Sequence, residues 1–250
     1  MDFVLEACVD SVESAENAAR GGATRLELCA NLVIGGTSPD EDLFRMVRER
    51  VDIPVRVLLR PRFGDFLYTS DEFELLRRQV KRFAALGADG VVIGVLNADG
   101  TVDEARMAEL ISLAGGRGIT LHRAFDLCRD PFEALDCARR LGVDTILTSG
   151  QRASCAEGAG LLRELVQKSG DRPQILIGAG VNAEVIRALQ PATGARAFHL
   201  SGKRTENSRM AYRRAGVPMG LPGISEYEVW RCGETAVRAA RQALEALCGA

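Results

Sequence analysis

Gly87-Ala88-Asp89-Gly90-Val91-Val92-Ile93-Gly94 is one of four junctions of the same build; the others begin at Gly22 (GATRLELC), Gly142 (GVDTILTS) and Gly194 (GARAFHLS). In each, a helical segment ends on glycine, the residue that accepts a left-handed turn at a helix C-terminus, and a strand begins at once. The junctions recur roughly every 50–65 residues, about twice the length of one βα unit. Between them lie strands entered differently, at Ile53-Pro54-Val55, Gly118-Ile119-Thr120 and Pro173-Gln174-Ile175. With the opening strand these predict eight strands, near 3–9, 25–29, 55–60, 90–95, 119–124, 144–148, 174–178 and 196–201.

Helices fill the gaps. Ser11–Arg20, Ser70–Leu86, Asp103–Leu113, Asp130–Leu141 and Asn182–Leu189 all open on Ser, Asp or Asn, whose side chains satisfy free helix N–H groups. Eight such units predict an α/β chain, a single (β/α)8 TIM-type barrel spanning residues 1–250. A C-terminal extension from about residue 205 carries a tail helix, Glu234–Leu247. An open doubly wound sheet is the alternative; it would leave two edge strands, and none is blunted by prolines or inward charges.

Composition narrows the function classes. The 250 residues are 46% apolar and 26% charged, with a net charge of −2, which gives no electrostatic footprint for nucleic acid or anionic membrane. No apolar run approaches the roughly 20 residues needed to span a bilayer. No basic segment precedes the first strand, so no signal peptide is expected. Seven scattered cysteines without an export signal point to reduced thiols and a cytoplasmic protein.

Strand alternation then sorts the faces. Counting from each junction glycine, the fourth and sixth positions are almost all apolar (Leu26 and Leu28, Val91 and Ile93) and should face the helices. The fifth and seventh are mixed (Glu27 and Cys29, Val92 and Gly94, Leu147 and Ser149, His199 and Ser201) and should face the axis. The first strand adds Glu6 and Cys8 to that face, the third Arg56 and Arg60, the fifth Thr120 and His122. A barrel interior is normally filled with branched apolar side chains. Charges brought inward must neutralise one another or a ligand, because an unpaired one costs several kcal/mol.

Two readings follow. A structural Glu–Arg brace is one; the other is an acid/base site in which His122 works with Glu6 or Glu27 and Arg60 holds an anion. Number favours the second: Glu6, Glu27, Arg60 and His122 converge from separate strands where one pair would suffice to brace, and in Ile119–Asp126 (ITLHRAFD) a strand delivers ionisable groups to its C-terminal end, the site end of a barrel. Glycine turns after strands seven and eight, Gly178-Ala179-Gly180 and Ser201-Gly202-Lys203, sit where barrels commonly cradle phosphate, and Ser149 could add a donor. None of Lys81, Lys168 and Lys203 falls on a predicted strand, which argues against imine chemistry. The long loops Cys29–Pro39 and Arg60–Asp71 should frame the mouth. Cys8 and Cys29 are expected on the lumen face of neighbouring strands, where paired thiolates would suit Cu(I) or Zn. The other five cysteines read as packing or surface residues.

ELCANL at 27–32, Gly35-Gly36-Thr37, Arg60-Pro61-Arg62 with Gly64-Asp65-Phe66, His122-Arg123-Ala124-Phe125-Asp126 and Thr148-Ser149-Gly150 together resemble the CutC copper-homeostasis family, over about Leu5–Met219. The resemblance implies a cytoplasmic barrel, a homo-oligomer such as a dimer, and copper-ion binding or trafficking through cysteines of the Cys8 and Cys29 kind. Its shared polar positions fall here on Glu6, Cys8, Glu27, Cys29, Asn31, Arg60, Asp65, His122, Arg123, Asp126 and Ser149. The chain departs from the family pattern at Ala179, where glycine is usual, and at Ser38-Pro39. The alternative to copper handling is a lyase- or isomerase-like enzyme acting on a small phosphorylated or carboxylated metabolite. Its catalytic set would be Glu6, Glu27, Arg60, His122 and Asp126, with Ser149, Gly178, Gly180 and Ser201 holding the anion.

Overall fold

A computed structural model describes residues 3–249. Eight parallel strands close on themselves in sequence order: β1 (Val4–Val9), β2 (Arg25–Leu28), β3 (Val55–Leu58), β4 (Gly90–Ile93), β5 (Gly118–Leu121), β6 (Thr145–Thr148), β7 (Gln174–Ile177) and β8 (Ala197–Leu200). Closure is made by β1 against β8, with Glu6 opposite His199. The open-sheet alternative is thereby excluded. Among the described residues no helix is long and apolar enough to cross a membrane.

The junction glycines do what their positions require. Gly22, Gly87, Gly142 and Gly194 all have φ between 72° and 91°, the left-handed region. Two residues on, the junction supplies a staple: Asp89 accepts the Val55 N–H at 2.8 Å, Asp144 that of Ile119 at 2.6 Å, and the Thr24 hydroxyl that of Leu5 at 2.9 Å. These bonds sit at the N-terminal ends of the strands, the end of a barrel that serves stability.

Helices α1 (Val12–Arg20), α2 (Glu41–Arg48), α3 (Ser70–Ala85), α4 (Glu104–Leu113), α5 (Pro131–Arg140), α6 (Ala159–Ser169) and α7 (Ala183–Thr193) cover the outside. Ser11, Asp103, Asp130 and Asn182 are the expected caps and each accepts a first-turn N–H; α3 is capped by Thr69 rather than Ser70, and α2, not among the expected helices, by Asp40. The outward strand residues, among them Leu5, Leu26, Val57, Ile93, Leu121, Ile146, Ile177 and Phe198, are buried in one continuous apolar layer beneath these helices. That layer is the principal core, since burying apolar area is the main favourable term in folding.

Past β8 the chain does not enter a helix directly. Lys203–Asn207 (β9) and Glu228–Cys232 (β10) form an antiparallel ribbon, a feature absent from the sequence reading. The arm between them exposes Met210, Tyr212 and Met219. The expected C-terminal helix is present as α8 (Glu234–Cys248), and it packs against α7 and α1. It therefore occupies the eighth place in the helical ring.

Inside the barrel two small apolar layers remain, Leu147, Leu176 and Ala197 on one side and Cys8, Cys29, Leu58 and Val92 on the other. Charge fills the rest. Arg56 lies low in the lumen and donates from Nη1 to the hydroxyls of Thr120 (2.5 Å) and Thr145 (3.2 Å). Gly90 and Gly118 make room for it, because a Cβ at either would fall within about 3 Å of its side chain. Burial lowers the Arg56 pKa to about 10, so it stays charged at neutral pH.

Candidate functional site

At the C-terminal end of the strands a cavity of about 600 Å³ opens, within the range of small-molecule sites. Cys8, Glu27, Arg60, His122, Asp126, Gly180 and Ser201 all line it, together with His199. Glu6 lies beneath, with no exposed surface. The inward set read from strand alternation therefore does meet at one end of the barrel, but it divides into two groups.

The first group stands on β8, β1 and β2. Strand register places Glu6 between Arg25 on one side and His199 on the other, and Cys8 beside Glu27 one pleat higher. Glu6 accepts from Arg25 Nε at 2.5 Å and contacts His199 Nδ1 at 2.8 Å. Burial alone would raise its pKa; Arg25, His199 and Arg56 outweigh burial and hold it at about 2. With Nδ1 taken, the other ring nitrogen of His199 faces Glu27, 3.7 Å from Oε2. Burial opposes the imidazolium, yet Cys8, Glu27 and Glu6 together lift the His199 pKa well above the ordinary value. Glu27 moves up as well, by burial first and then by the charge of Glu6.

Ligand atoms of Cys8, Glu27 and His199 lie within 4.8 Å of one another, and among the described residues this is the one such cluster. Donors at 2.0–2.3 Å from a shared ion stand about 3.3–3.8 Å apart when tetrahedral, so a small closure would complete the geometry. Glu6 holding His199 by Nδ1 is the carboxylate–histidine arrangement that orients a metal-binding imidazole. The expected pair of Cys8 with Cys29 is not the tight cluster. Cys29 is fully buried, its thiol points to Glu27 Oε2 at 3.4 Å, and burial followed by Glu27 raises its pKa strongly.

The second group stands just past the ends of β3 and β5. His122 follows the last residue of β5 and caps the 3-10 turn Arg123–Leu127: its Nδ1 accepts the Ala124 N–H at 3.1 Å. Gly94 makes its place, since a Cβ there would come within 2.5 Å of the imidazole. Burial, then the nearby Arg60 charge, depress the His122 pKa to about 3. The sequence paired this histidine with Glu6 or Glu27; the structure gives both carboxylates to His199 instead. Alternation reveals which way a side chain points, but not which strand lies across from it.

Arg60 bridges the two mouth loops. It donates from Nη1 to the carbonyls of Gly35 (3.4 Å) and Gly36 (3.2 Å) and from Nη2 to that of Gly64 (2.7 Å), and lies over the Phe66 ring. Asp126 lines the cavity, but its carboxylate is fully engaged: Thr148, Ser149 and Gln151 donate to it, as does Arg123 Nε at 2.7 Å. It fastens the turn after β5 to the turn after β6. The Ser149 hydroxyl is spent on Asp126 and the Arg152 carbonyl, and the Gly178 N–H on the Thr148 carbonyl. Gly178 is needed for packing, since a Cβ would come within 2.6 Å of Leu147. Gly180 and Ser201 remain on the cavity wall. Lys203, read as lying off the strands, is the first residue of β9, with its ammonium 3.4 Å from the Trp230 ring centroid at the cavity edge.

Arg25 and His199 are the members the sequence reading left out. Both carried a signal: Arg25 shares the inward face of Glu27, and His199 was already an inward fifth-position residue.

A sequence model described as the CutC family matches residues 3–204. A CutC family protein of Chromobacterium violaceum is 45% identical over 245 residues, covering 98% of this chain and 99% of that one. The human copper homeostasis protein cutC homolog is 40% identical, covering 94% of this chain and 87% of its own. Among solved structures, CutC from Streptococcus agalactiae superposes with a TM-score of 0.75 at 27% identity, over 80% of this chain and 98% of that one. Thiamine phosphate pyrophosphorylase from Pyrococcus furiosus, at 17% identity and a TM-score of 0.58 over 99% of this chain and 98% of its own, shares the fold alone.

Proposed function

The chain belongs to the CutC family, and from that premise and the geometry of the barrel mouth we propose that it binds a thiophilic transition-metal ion, copper as cargo, through Cys8, Glu27 and His199. The observation that carries this reading is the Glu6–His199 contact, which fixes the ring by Nδ1 and leaves Nε2 for an ion beside Cys8 and Glu27. Thiolate and imidazole suit copper in either state, and the carboxylate adds charge to the set. His199 gives up its proton to ligate, and Arg25 keeps Glu6 ionised behind it. The protein would work in the reducing cytoplasm, in keeping with seven free thiols.

Titration with Cu(I) against a chromophoric competitor tests this. One equivalent should bind to the parent protein; Cys8→Ser and His199→Gln should abolish it, Glu6→Gln should weaken it about 10–100-fold, and Cys29→Ser should leave it in place. Equal binding by Cys8→Ser would defeat the assignment.

A second reading is favoured by the cavity itself. An ion carrier has no need of about 600 Å³ above its ligands, whereas an enzyme for a small anionic metabolite does. In that reading His199 and Glu27 move the proton in a lyase- or isomerase-like step, and Arg60 meets the anion. Native mass spectrometry of freshly purified protein separates the two, through a retained copper ion in one case and a retained organic anion in the other.

A further inference from the structure

Among the described residues four buried side-chain polar atoms have no hydrogen-bond partner: Arg25 Nη2, Arg60 Nε, Tyr68 Oη and His122 Nε2. Three of the four belong to one wall. Arg60 lies 5.1 Å from the Phe66 centroid, the same ring stands 4.7 Å from His122, and Tyr68 follows two residues on beside Arg60. A buried donor left unmade is costly, and such atoms are rare in folded proteins.

Their chemistry is fixed by their surroundings. A backbone N–H can only donate, so the His122 Nδ1 that accepts from Ala124 carries no proton. The ring is therefore neutral, and its proton sits on Nε2, a buried donor without an acceptor. Arg60 has spent both terminal nitrogens on backbone carbonyls; its Nε–H stands beside the Tyr68 hydroxyl without a bond of ordinary geometry. No carboxylate among the described residues pairs with it. The wall thus presents one positive charge and two N–H donors without a counter-ion.

We propose that Arg60 and His122 form a subsite for a carboxylate group of a small organic ligand whose other end reaches the Cys8–Glu27–His199 cluster across the mouth of the barrel. This specifies the ligand of the site described above, and it rests on that site being a binding site. Strand order supports the span: β5, which leads into His122, lies across the closed barrel from β1, which carries Cys8. A carboxylate fits better than a phosphate. Two donors and a single positive charge match a planar monoanion better than a phosphate dianion, which is commonly held on a cradle of backbone N–H groups. Phe66 lies against both side chains and is the ring that gives way when the carboxylate enters.

The chain has two histidines, one on each wall, so each reports on its own half. In protein labelled with ¹⁵N-histidine, His122 should show an unprotonated Nδ1 and a protonated Nε2 at neutral pH. Titration of metal-free protein with lactate should shift the His122 Nε2–H signal saturably, and Arg60→Gln should weaken that response about tenfold or more. Inorganic phosphate should leave it unmoved. The same lactate response in Cys8→Ser, which cannot take up Cu(I) by the first reading, would establish the subsite independently of the metal. Cu(I) alone should perturb His199. A charged or Nδ1-protonated His122, no response to lactate, or an equal response to phosphate would overturn the proposal; a silent His199 under Cu(I) would defeat only the metal assignment.

Discussion

The two walls of the barrel mouth each hold an arginine and a histidine, yet only one holds carboxylates, and they reach opposite electrostatic outcomes. On β8, β1 and β2 every charge has an opposite charge beside it, although Arg25 Nη2 is left unbonded: Glu6 lies between Arg25 and His199, and His199 between Glu6 and Glu27. On β3 and β5, Arg60 and His122 have donors with nothing to bond. A compensated cluster in a low-dielectric interior is stiff and pre-set, because moving any member leaves another buried and unpaired. An uncompensated one holds unrealised binding energy, released when a partner of the right charge arrives. One histidine belongs to each wall, which is why their pKa values move in opposite directions from the same starting point.

Breaking the compensated wall should give the largest effect. Glu6→Gln removes the negative charge between Arg25 and His199 and should cost about 3–5 kcal/mol in urea unfolding, as loss of one partner of a buried pair does. A cost under 1 kcal/mol would mean that the wall relaxes freely, and the contrast would lose its basis.

The His122 wall is better probed by pH. In the unfolded chain this residue titrates near 6.5; in the fold it stays neutral down to about 3. Its contribution is therefore fully present above pH 6.5 and is lost as pH falls toward 3. Between pH 7.5 and 5.0 that amounts to about 2 kcal/mol. His199 runs the other way, with its contribution full below pH 6.5 and lost on going up. The quantity to measure is therefore the difference between the parent and His122→Asn, whose side-chain oxygen can still cap Ala124. The parent should lose about 2 kcal/mol relative to the variant over that range; parallel pH profiles would show a His122 that titrates in the fold as it does in the unfolded chain.

The smallest effect belongs to the rim. Arg123 pairs with Asp126 through a side chain that is 43% exposed, and Asp126 keeps its bonds to Thr148, Ser149 and Gln151 without it. Arg123→Ala should cost no more than about 1 kcal/mol in the same unfolding assay. A larger loss would extend the compensated network around the mouth.

The fold was legible because its punctuation is steric. A left-handed helix end needs glycine, and four of them in matched settings mark out the barrel before any strand is weighed. The inward polar set was legible because strands alternate. The neighbours of each inward residue were not, since azimuth and height depend on the stagger of a closed sheet. Glu6 meets His199 only because the first strand pairs with the last, 193 residues away. The β9–β10 ribbon was missed for another reason: Lys203–Asn207 is polar on both faces and carries no alternation to read.

The placement of α8 has a consequence for how the chain comes to be. The seam between α1 and α7 is filled by Val237, Ala240, Ala243 and Leu244, which arrive after an excursion of some thirty residues beyond β8. Until they emerge during synthesis, eight finished strands carry seven helices and a greasy cleft faces the cell. A translation product cut short after residue 204, where the family match ends, would expose that cleft and be a natural client for chaperones and proteases.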